Sequence, residues 1–207
     1  MGKCAYNQNG EWRVMRIILA SKSPRRKEIL ENLGVKFEIM VADADESSDI
    51  TDPELLVQAL AKKKGRAVLE KLEDTSDCLL IACDTLVYAE GEFLGKPRNK
   101  EDAVRMMRLL SGRSHAVVSG LYLFCENREV GAAAVTRVTF DELTEDEIED
   151  YVNTAEPYDK AGGYAVQGKA CVFVSGLEGD YFNVVGLPVN LLYRTLKKEF
   201  GIDIRAL

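Results

Sequence analysis

The chain has 207 residues, of which 46% are hydrophobic and 29% charged, and its formal net charge is -7. A chain of this size buries enough apolar surface to fold without disulfides or a structural metal. Its acidic balance argues against nucleic-acid binding, which requires a basic face, but it allows a small anionic ligand in a local basic pocket.

The cysteines, the lengths of the apolar runs and the polar first dozen residues predict a cytoplasmic protein with no membrane partner. The five cysteines are odd in number and form no C-x-x-C pair, and runs such as CLLIAC and ACVFV predict reduced, small core residues. No apolar run reaches the length of a membrane span. The polar first dozen residues lack the apolar core of a signal peptide. We interpret residues 1–15 as a flexible extension and residues 16–207 as a single domain.

The first half of the chain alternates strand-like and helix-like segments, which predicts an α/β fold. Ser23 and Asp52 stand at expected helix N-caps, each followed by a proline in the first turn. In chain order, the predicted elements are a strand over residues 16–20, a helix from Pro24 to just before Gly34, a strand over 36–42, an acidic loop over 43–52, a helix over 53–69, and a strand over 78–88 with a short return after Glu90-Gly91.

The second half continues with a helix capped by Asn99, and a later helix begins with a capping box at Thr144. No segment rich in Pro, Gly or Ser divides the chain. The predicted elements are the Asn99-capped helix to about Gly112, a hairpin of 115–125 and 130–140, a helix from Thr144 to about Asn153, a Gly-rich loop over 161–168, short strands over 171–175 and 180–184, and a last helix that Pro188 opens.

A basic turn, Arg25-Arg26-Lys27, begins the first helix. Positive charge at a helix N-terminus opposes the macrodipole by about 0.3–1 kcal/mol per charge. Guanidinium groups and free N–H groups gathered there form an anion site. The alternative is a solvated helix start with its basic side chains splayed outward.

Two charged residues fall within apolar patterns. Asp84 lies in the strand LLIACDTLVY, where a carboxylate must be paired, metal-bound or hydrogen-bonded to nearby backbone. Lys64 lies between Leu60 and Val68 on the inward stripe of the second helix. It either meets a partner in a site or snorkels to water.

Six separated motifs occur in a recognisable order and resemble the Maf (septum-formation-like) family from about residue 16 to the C-terminus. The motifs are ILASKSPRRKEIL, LAKKKGRAV, ACDTLV, GKP, LSGRSH and EPYDKAGGYAVQG. The resemblance implies an elongated mixed β-sheet flanked by helices, bilobed with a central nucleotide cleft, as in inosine triphosphatases. It also implies nucleotide pyrophosphatase activity and a homodimer.

The resemblance also implies roles for individual residues. Ser21, Arg25 and Arg26 match the phosphate-facing loop, and Lys64 and Lys96 match the cleft lysines. The acids Glu46 and Asp84 match the metal site, with Asp84 as the proton acceptor. The expected cofactor is a divalent cation, Mg²⁺ or alternatively Mn²⁺.

Three positions distinguish substrate branches within the family. The branch assigned to dTTP and UTP carries Arg, Thr and Gln, which here are Arg25, Thr85 and Gln167. Another branch, assigned to 7-methyl-GTP, has Trp at the first position. The sequence therefore resembles the dTTP/UTP branch, and pyrimidine nucleoside triphosphates, ordinary or modified, are its expected substrates.

Residue chemistry supports hydrolysis to monophosphate and pyrophosphate. Arg25, Arg26, Lys64 and Lys96 are suited to neutralise a triphosphate and its leaving pyrophosphate, while Mg²⁺ prefers oxygen ligands such as carboxylates. A non-catalytic nucleotide-binding regulator of cell division is the alternative, although it explains Asp84 less well. A haloacid-dehalogenase-like phosphatase needs a second Asp two residues after the first, and Leu86 stands there.

Overall fold

The computed structural model describes residues 15–207, which form a mixed seven-stranded sheet flanked by helices. The strands are β1 (Arg16–Leu19), β2 (Glu38–Ile39), β3 (Cys78–Ala89), β4 (Glu92–Leu94), β5 (Ser114–Cys125), β6 (Arg128–Phe140) and β7 (Val174–Glu178). The helices are α1 (Pro24–Asn32), α2 (Pro53–Leu69), α3 (Lys100–Leu110), α4 (Glu145–Val152), α5 (Tyr181–Val185) and α6 (Val189–Thr195). Short 3-10 turns span Glu156–Asp159, Ala161–Gly163, Lys169–Phe173 and Ile204–Ala206, and a π-turn spans Leu196–Phe200.

The sheet runs in the order β2-β1-β3-β5-β6-β7, and β4 pairs with the far end of β3. The pairs made by β1 with β2 and with β3 are parallel, and all the other pairs are antiparallel. The parallel part comes from the β1-α1-β2-α2-β3 segment, whose helices provide the crossovers that parallel strands need. The predicted mixed sheet with flanking helices is confirmed.

Local capping chemistry places the helix starts where the sequence predicts them. The side chain of Asp52 accepts a hydrogen bond from the backbone of Leu55, and Thr144 forms a complete capping box with Glu147. Asn99 caps α3 in the same way. Ser23 stands at the N-cap of α1, but its side chain makes no capping bond, which leaves the start of α1 open toward the cleft described below.

Three predicted strands differ from the structure. The strand expected over 36–42 is reduced to Glu38–Ile39, because among residues 15–207 it pairs only with the short β1. The segment expected as a strand over 171–175 is a 3-10 turn up to Phe173 and joins the sheet only from Val174.

The segment predicted as a strand over 180–184 is helix α5. Asp180 accepts from the backbone of Phe182 and so begins a helix. Asn183 then turns inward and donates to the Val117 carbonyl at 2.9 Å and to the Thr136 hydroxyl at 3.0 Å. Partners distant in sequence therefore override the strand-like pattern of this segment.

The cysteines follow the prediction at three of the four described positions. Cys78, Cys83 and Cys125 are buried, as expected for small core residues, and all four described thiols are free. Cys171 is exposed, because the run ACVFV forms the 3-10 turn rather than a core strand. Cys4 and the rest of residues 1–14 lie outside the described residues, while Met15 is buried against the core.

Strand β3 contributes to three hydrophobic clusters and positions the cleft. Its first half contributes Leu79 to a cluster with β1, α1 and α6, and Leu80 to a separate cluster with β1 and α2. Its second half contributes Val87 and Ala89 to a cluster with α3 and α4. Asp84 lies between the two halves and belongs to none of these clusters.

Two glycines let α2 lie very close to the sheet. A Cβ at Gly120, the β5 partner of Asp84, would come within 2.3 Å of the Val57 backbone. A Cβ at Gly65 would come within 2.3 Å of the Tyr122 ring. The close approach sets Lys64, the residue before Gly65, beside β3.

No helix in residues 15–207 combines the length and the apolar character needed to cross a membrane.

Candidate active site

A cleft of about 630 Å³, a size typical of small-molecule sites, opens between the α1–α6 cluster and the α3–α4 cluster. All nine residues singled out from the sequence line it. They are Ser21, Arg25, Arg26, Glu46, Lys64, Asp84, Thr85, Lys96 and Gln167. The structure thus brings together residues spread over 147 positions of sequence, from 21 to 167, while their individual roles stay predictions.

Lys64 stands between the two acids expected at the metal site. Its ammonium lies 2.5 Å from Asp84 Oδ1 and 3.2 Å from Glu46 Oε1. The Asp84 side chain is 9% exposed, whereas that of Glu46 is 59% exposed. Lys64 therefore does not snorkel alone to water: two carboxylates converge on one cationic position at the floor of the cleft.

Arg26 is held rigidly by three neutral acceptors. Its guanidinium donates to the Gly186 carbonyl at 2.7 Å, to Ser21 Oγ at 3.1 Å and to Thr85 Oγ1 at 3.0 Å. No acid pairs with it in residues 15–207, so its charge is oriented without being neutralised. Such a preorganised cation suits an anionic ligand.

Thr85 helps to hold the Arg26 guanidinium in place. Its hydroxyl also lies 2.8 Å from Ser119 Oγ, a fully buried serine on the paired position of β5. Sequence reasoning missed Ser119, since a serine within an apolar strand gives no distinct signal. The predicted role of Thr85 in base selection stays a prediction, and its visible contacts orient Arg26.

Arg25 crosses the cleft toward the opposite wall. Its Nη1 atom lies 3.7 Å from Asp159 Oδ2, and Asp159 also pairs with Lys160. Burial lowers the pKa of Arg25, and the charge of Asp159 only partly opposes this effect. Lys27, the third member of the basic turn, is exposed and pairs with Glu31 at 3.6 Å instead.

Asp159 and Lys160 both line the cleft and were not singled out from the sequence. They lie in the motif EPYDKAGGYAVQG, and this position within a family motif is the sequence feature that indicates a role for them. Burial raises the pKa of Asp159, but Lys160 and Arg25 lower it by more than burial raises it. The pKa of Asp159 is therefore below its usual value.

Lys96 and Gln167 stand free at the exposed rim of the cleft. Neither side chain makes a hydrogen bond or ion pair within residues 15–207. The turn that carries Lys96 is tied to the Gly-rich loop, because the Gly95 carbonyl accepts from the Gly162 backbone at 3.0 Å. Both side chains remain available to a ligand.

The Gly-rich loop owes its shape to positive φ angles and to one partly buried anchor. Gly162 and Gly163 both have φ of 71°, and a Cβ at Gly162 would lie 2.7 Å from Val87. At the far end, the Glu156 carboxylate accepts from the Lys169 backbone at 2.8 Å and from the Tyr151 hydroxyl at 3.0 Å. The loop is therefore a fixed wall of the cleft.

His115 supports that wall and takes no direct part in the cleft. It is buried, and its Nε2 atom lies 2.7 Å from the hydroxyl of Tyr164, which lines the cleft. Burial lowers the pKa of His115 to about 4, so the ring is neutral at physiological pH.

The charge of the cleft opposes that of the protein. Six cationic side chains line it against three acids, whereas the whole chain carries a net charge of -7. The cations are Lys22, Arg25, Arg26, Lys64, Lys96 and Lys160, and the acids are Glu46, Asp84 and Asp159. A locally positive cleft with a buried carboxylate at its floor fits a polyanion that undergoes chemistry there.

Sequence comparison relates the chain to one protein family over nearly its whole length. The family model described as Maf-like protein matches residues 16–199. A protein of Bacillus anthracis named dTTP/UTP pyrophosphatase is 47% identical over 190 residues, which cover 91% of this chain and 97% of that protein. A protein of the same name from Bacillus thuringiensis subsp. konkukian is 46% identical over the same shares.

Structural comparison finds the same architecture in a more distant protein. The structure of the Staphylococcus aureus Ham1 protein superposes with a TM-score of 0.52 at 13% identity, covering 89% of this chain and 99% of that one. At this identity the likeness concerns the fold alone, and it agrees with the fold expected from the motifs.

Proposed function

The chain belongs to the Maf family, and we propose that it is a pyrophosphatase that hydrolyses dTTP and UTP to the monophosphate and pyrophosphate. The family resemblance inferred from the six motifs is thereby confirmed. The observation that carries the activity is the buried Asp84 carboxylate facing a cleft in which cations outnumber acids.

Arg26, Lys64 and Lys96 are the groups that hold the triphosphate. Arg26 is locked in place before a ligand arrives, so little reorganisation is needed when charge develops on the leaving group. Lys96 at the rim and Lys64 at the floor add charge from two other elements. A pyrophosphate clamped by these groups is a good leaving group because its new charge is already neutralised.

Asp84 is the group that moves the proton. Its carboxylate accepts a proton from the water that attacks the α-phosphorus. The new bond joins the water oxygen to the α-phosphorus, and the bond to the bridging oxygen of the β-phosphate breaks. That bridging oxygen departs with the pyrophosphate. Lys64, hydrogen-bonded to Asp84, orients the carboxylate and holds its charge toward the cleft.

The donor set fits a hard divalent cation. Two carboxylates, Glu46 and Asp84, both contact the Lys64 ammonium and so lie close to each other at the floor of the cleft. Residues 15–207 contain no cluster of three His, Cys, Asp or Glu side chains. This arrangement suits Mg²⁺, or Mn²⁺, which retains waters and uses one or two carboxylates together with substrate phosphates. Such an ion would be held by Glu46 and Asp84 and would withdraw charge from the phosphate.

We expect the enzyme to work in the cytoplasm as a homodimer. Buried thiols at Cys78, Cys83 and Cys125 suit a reducing compartment, and the dimer rests on the family resemblance. Sedimentation at several protein concentrations measures the assembly, and a monomer at all of them would contradict it.

Product analysis in ¹⁸O water tests the proposed reaction. With Mg²⁺ and UTP, we expect label in the monophosphate, unlabelled pyrophosphate and no diphosphate. Diphosphate as the main early product would overturn the mechanism, even if every named residue proved essential. Nucleotide binding without turnover would instead identify the chain as a non-catalytic regulator.

A further inference from the structure

Three charged groups form a short row across the cleft. The Asp159 carboxylate lies between the Arg25 guanidinium, which its Oδ2 meets at 3.7 Å, and the Lys160 ammonium, which its Oδ1 contacts. Arg25 comes from α1 on one wall, and the other two come from the turn and loop on the opposite wall. All three line the cleft.

The row presents a defined hydrogen-bonding pattern. Arginine and lysine are donors only, and an ionised carboxylate is an acceptor only. The pKa of Asp159 is below its usual value, so the carboxylate is ionised at neutral pH. From Arg25 through Asp159 to Lys160, the row therefore presents a donor, an acceptor and a donor.

The row has unused capacity for a ligand. The contact from Arg25 to Asp159 is longer than a hydrogen bond, and the other N–H groups of Arg25 have no partner in residues 15–207. The Asp159 side chain is 60% exposed. The Lys160 side chain is 15% exposed, and its ammonium contacts Asp159 and donates to the Glu156 carbonyl at 3.4 Å, so one of its three N–H groups is left for a ligand. Apolar side chains of the same cleft, including Leu86, Val117 and Tyr164, offer a surface to a flat ring.

We propose that Arg25, Asp159 and Lys160 read the dione edge of uracil and thymine. That edge presents the O2 carbonyl, the N3–H and the O4 carbonyl, which is acceptor, donor, acceptor. The inference rests on the proposed function, since it assumes a pyrimidine triphosphate in this cleft. It adds Asp159 and Lys160 to Arg25 as specificity-determining residues.

The pattern explains why two nucleotides share one site while others are rejected. Uracil and thymine have the same edge and differ only at C5, away from it. Cytosine presents acceptor, acceptor, donor, which sets its unprotonated N3 against the Asp159 carboxylate and its amino group against a cation. A site built to hydrogen-bond one edge rejects another because its polar groups are left unpaired.

A phosphate group could use the same two cations by displacing Asp159, and the experiment separates this alternative. Equilibrium binding of the α,β-imido analogues of UTP and CTP is measured by calorimetry, so no turnover is required. Asp159→Asn supplies an amide that can donate to the cytosine N3. Asp150→Asn, at an exposed position on α4 outside the cleft, is the matched control.

We expect the parent and D150N to prefer the UTP analogue by roughly tenfold or more, and D159N to lose most of that preference. If phosphate displaces Asp159, D159N instead tightens both analogues equally and leaves their ratio unchanged, which overturns the inference. Equal binding of the two analogues by the parent also overturns it.

A second measurement needs no variant and so does not depend on the folding of D159N. The α,β-imido analogue of 3-methyl-UTP replaces the N3–H with a methyl group and leaves the phosphates intact. We expect the parent to bind it at least roughly tenfold more weakly than the UTP analogue; equal binding contradicts the inference. Parallel hydrolysis assays on UTP itself report separately on the proposed function, which fails if binding occurs without turnover.

Discussion

Helix α2 carries two ion-pair clusters with different surroundings. The cleft cluster consists of Lys64, Asp84 and Glu46, with Lys64 2.5 Å from Asp84. The other, here called the surface cluster, joins Lys62 and Arg66 to Glu129, which also accepts from the Tyr122 hydroxyl at 2.5 Å. In sequence, Lys62, Lys64 and Arg66, three of the four basic residues of α2, look alike.

Burial and neighbours make the difference between the clusters. Lys62 and Arg66 are 52% and 54% exposed, so water screens their pairing with Glu129, and each pair contributes about 0–1 kcal/mol. Asp84 is 9% exposed and faces a cleft rich in cations. An exposed ion pair by itself therefore does not indicate a functional charge, whereas we expect a functional role for the buried carboxylate that opens onto the cleft.

The largest expected effect is on catalysis by Asp84. Asp84→Asn keeps the shape of the side chain but removes its charge, and we expect the rate of pyrophosphate release from UTP to fall by at least about 10²-fold. Glu129→Gln makes the same kind of change in the surface cluster and should leave the rate unaltered. Equal rates for D84N and the parent would show that the cleft cluster is no more important for catalysis than the surface cluster.

Lys64→Met should lower both activity and stability. Without Lys64 the buried Asp84 carboxylate lacks its direct partner, so we expect a loss of about 1–3 kcal/mol in the free energy of unfolding, measured in urea. Lys64 lies on the apolar stripe of α2, where methionine fits by shape. Methionine nevertheless does not stabilise the protein, because it leaves the buried Asp84 carboxylate without a cation.

The double variant K64M/D84N sharpens this result. Removing both charges should restore most of the stability, because no unpaired carboxylate is left, while activity stays low. If the double variant is as unstable as K64M, the loss comes from packing and not from charge. Lys62→Met in the surface cluster is the matched single control, with little effect on either quantity.

Gly120→Ala tests whether both clusters depend on how closely α2 approaches the sheet. The added Cβ would lie 2.3 Å from the Val57 backbone, so the helix must move outward and carry Lys64 away from Asp84. We expect a loss of about 1–3 kcal/mol in stability and a several-fold lower rate. Gly131→Ala is the control, since its nearest contact is the Gln58 side chain at 3.2 Å; equal effects would contradict the argument.

The smallest effect is on acid stability through Glu129. The hydrogen bond from Lys62, followed by that from Tyr122, lowers the pKa of Glu129 from 4.5 to about 2. Its folded-state pKa is depressed, so its contribution is present above pH 4.5 and is lost as pH falls toward 2. We expect E129Q to reduce the change in the free energy of unfolding across this pH window by less than about 1 kcal/mol. Urea unfolding at several pH values measures it. The same pH dependence in E129Q and the parent would contradict a stabilising role for the Glu129 ion pairs.

Local chemistry made much of the fold predictable. Helix starts at Asp52 and Thr144 follow from side-chain caps that involve residues three positions away, and such contacts are visible in a linear sequence. The strand predicted over 180–184 failed for the opposite reason. Asn183 is held by Val117 and Thr136, which are 66 and 47 positions away.

The amino-acid sequence by itself determined the family, the class of fold, the starts of α2, α3 and α4 and nine of the residues that line the cleft, because ordered motifs and capping patterns are local signals. Only the tertiary structure decided which of these residues touch. Two glycines, at positions 65 and 120, bring α2 against the sheet and so place Lys64 beside Asp84. The row of Arg25, Asp159 and Lys160 likewise exists only because the chain folds one wall of the cleft against the other. Contacts of this kind depend on distances between remote segments, which no local pattern records.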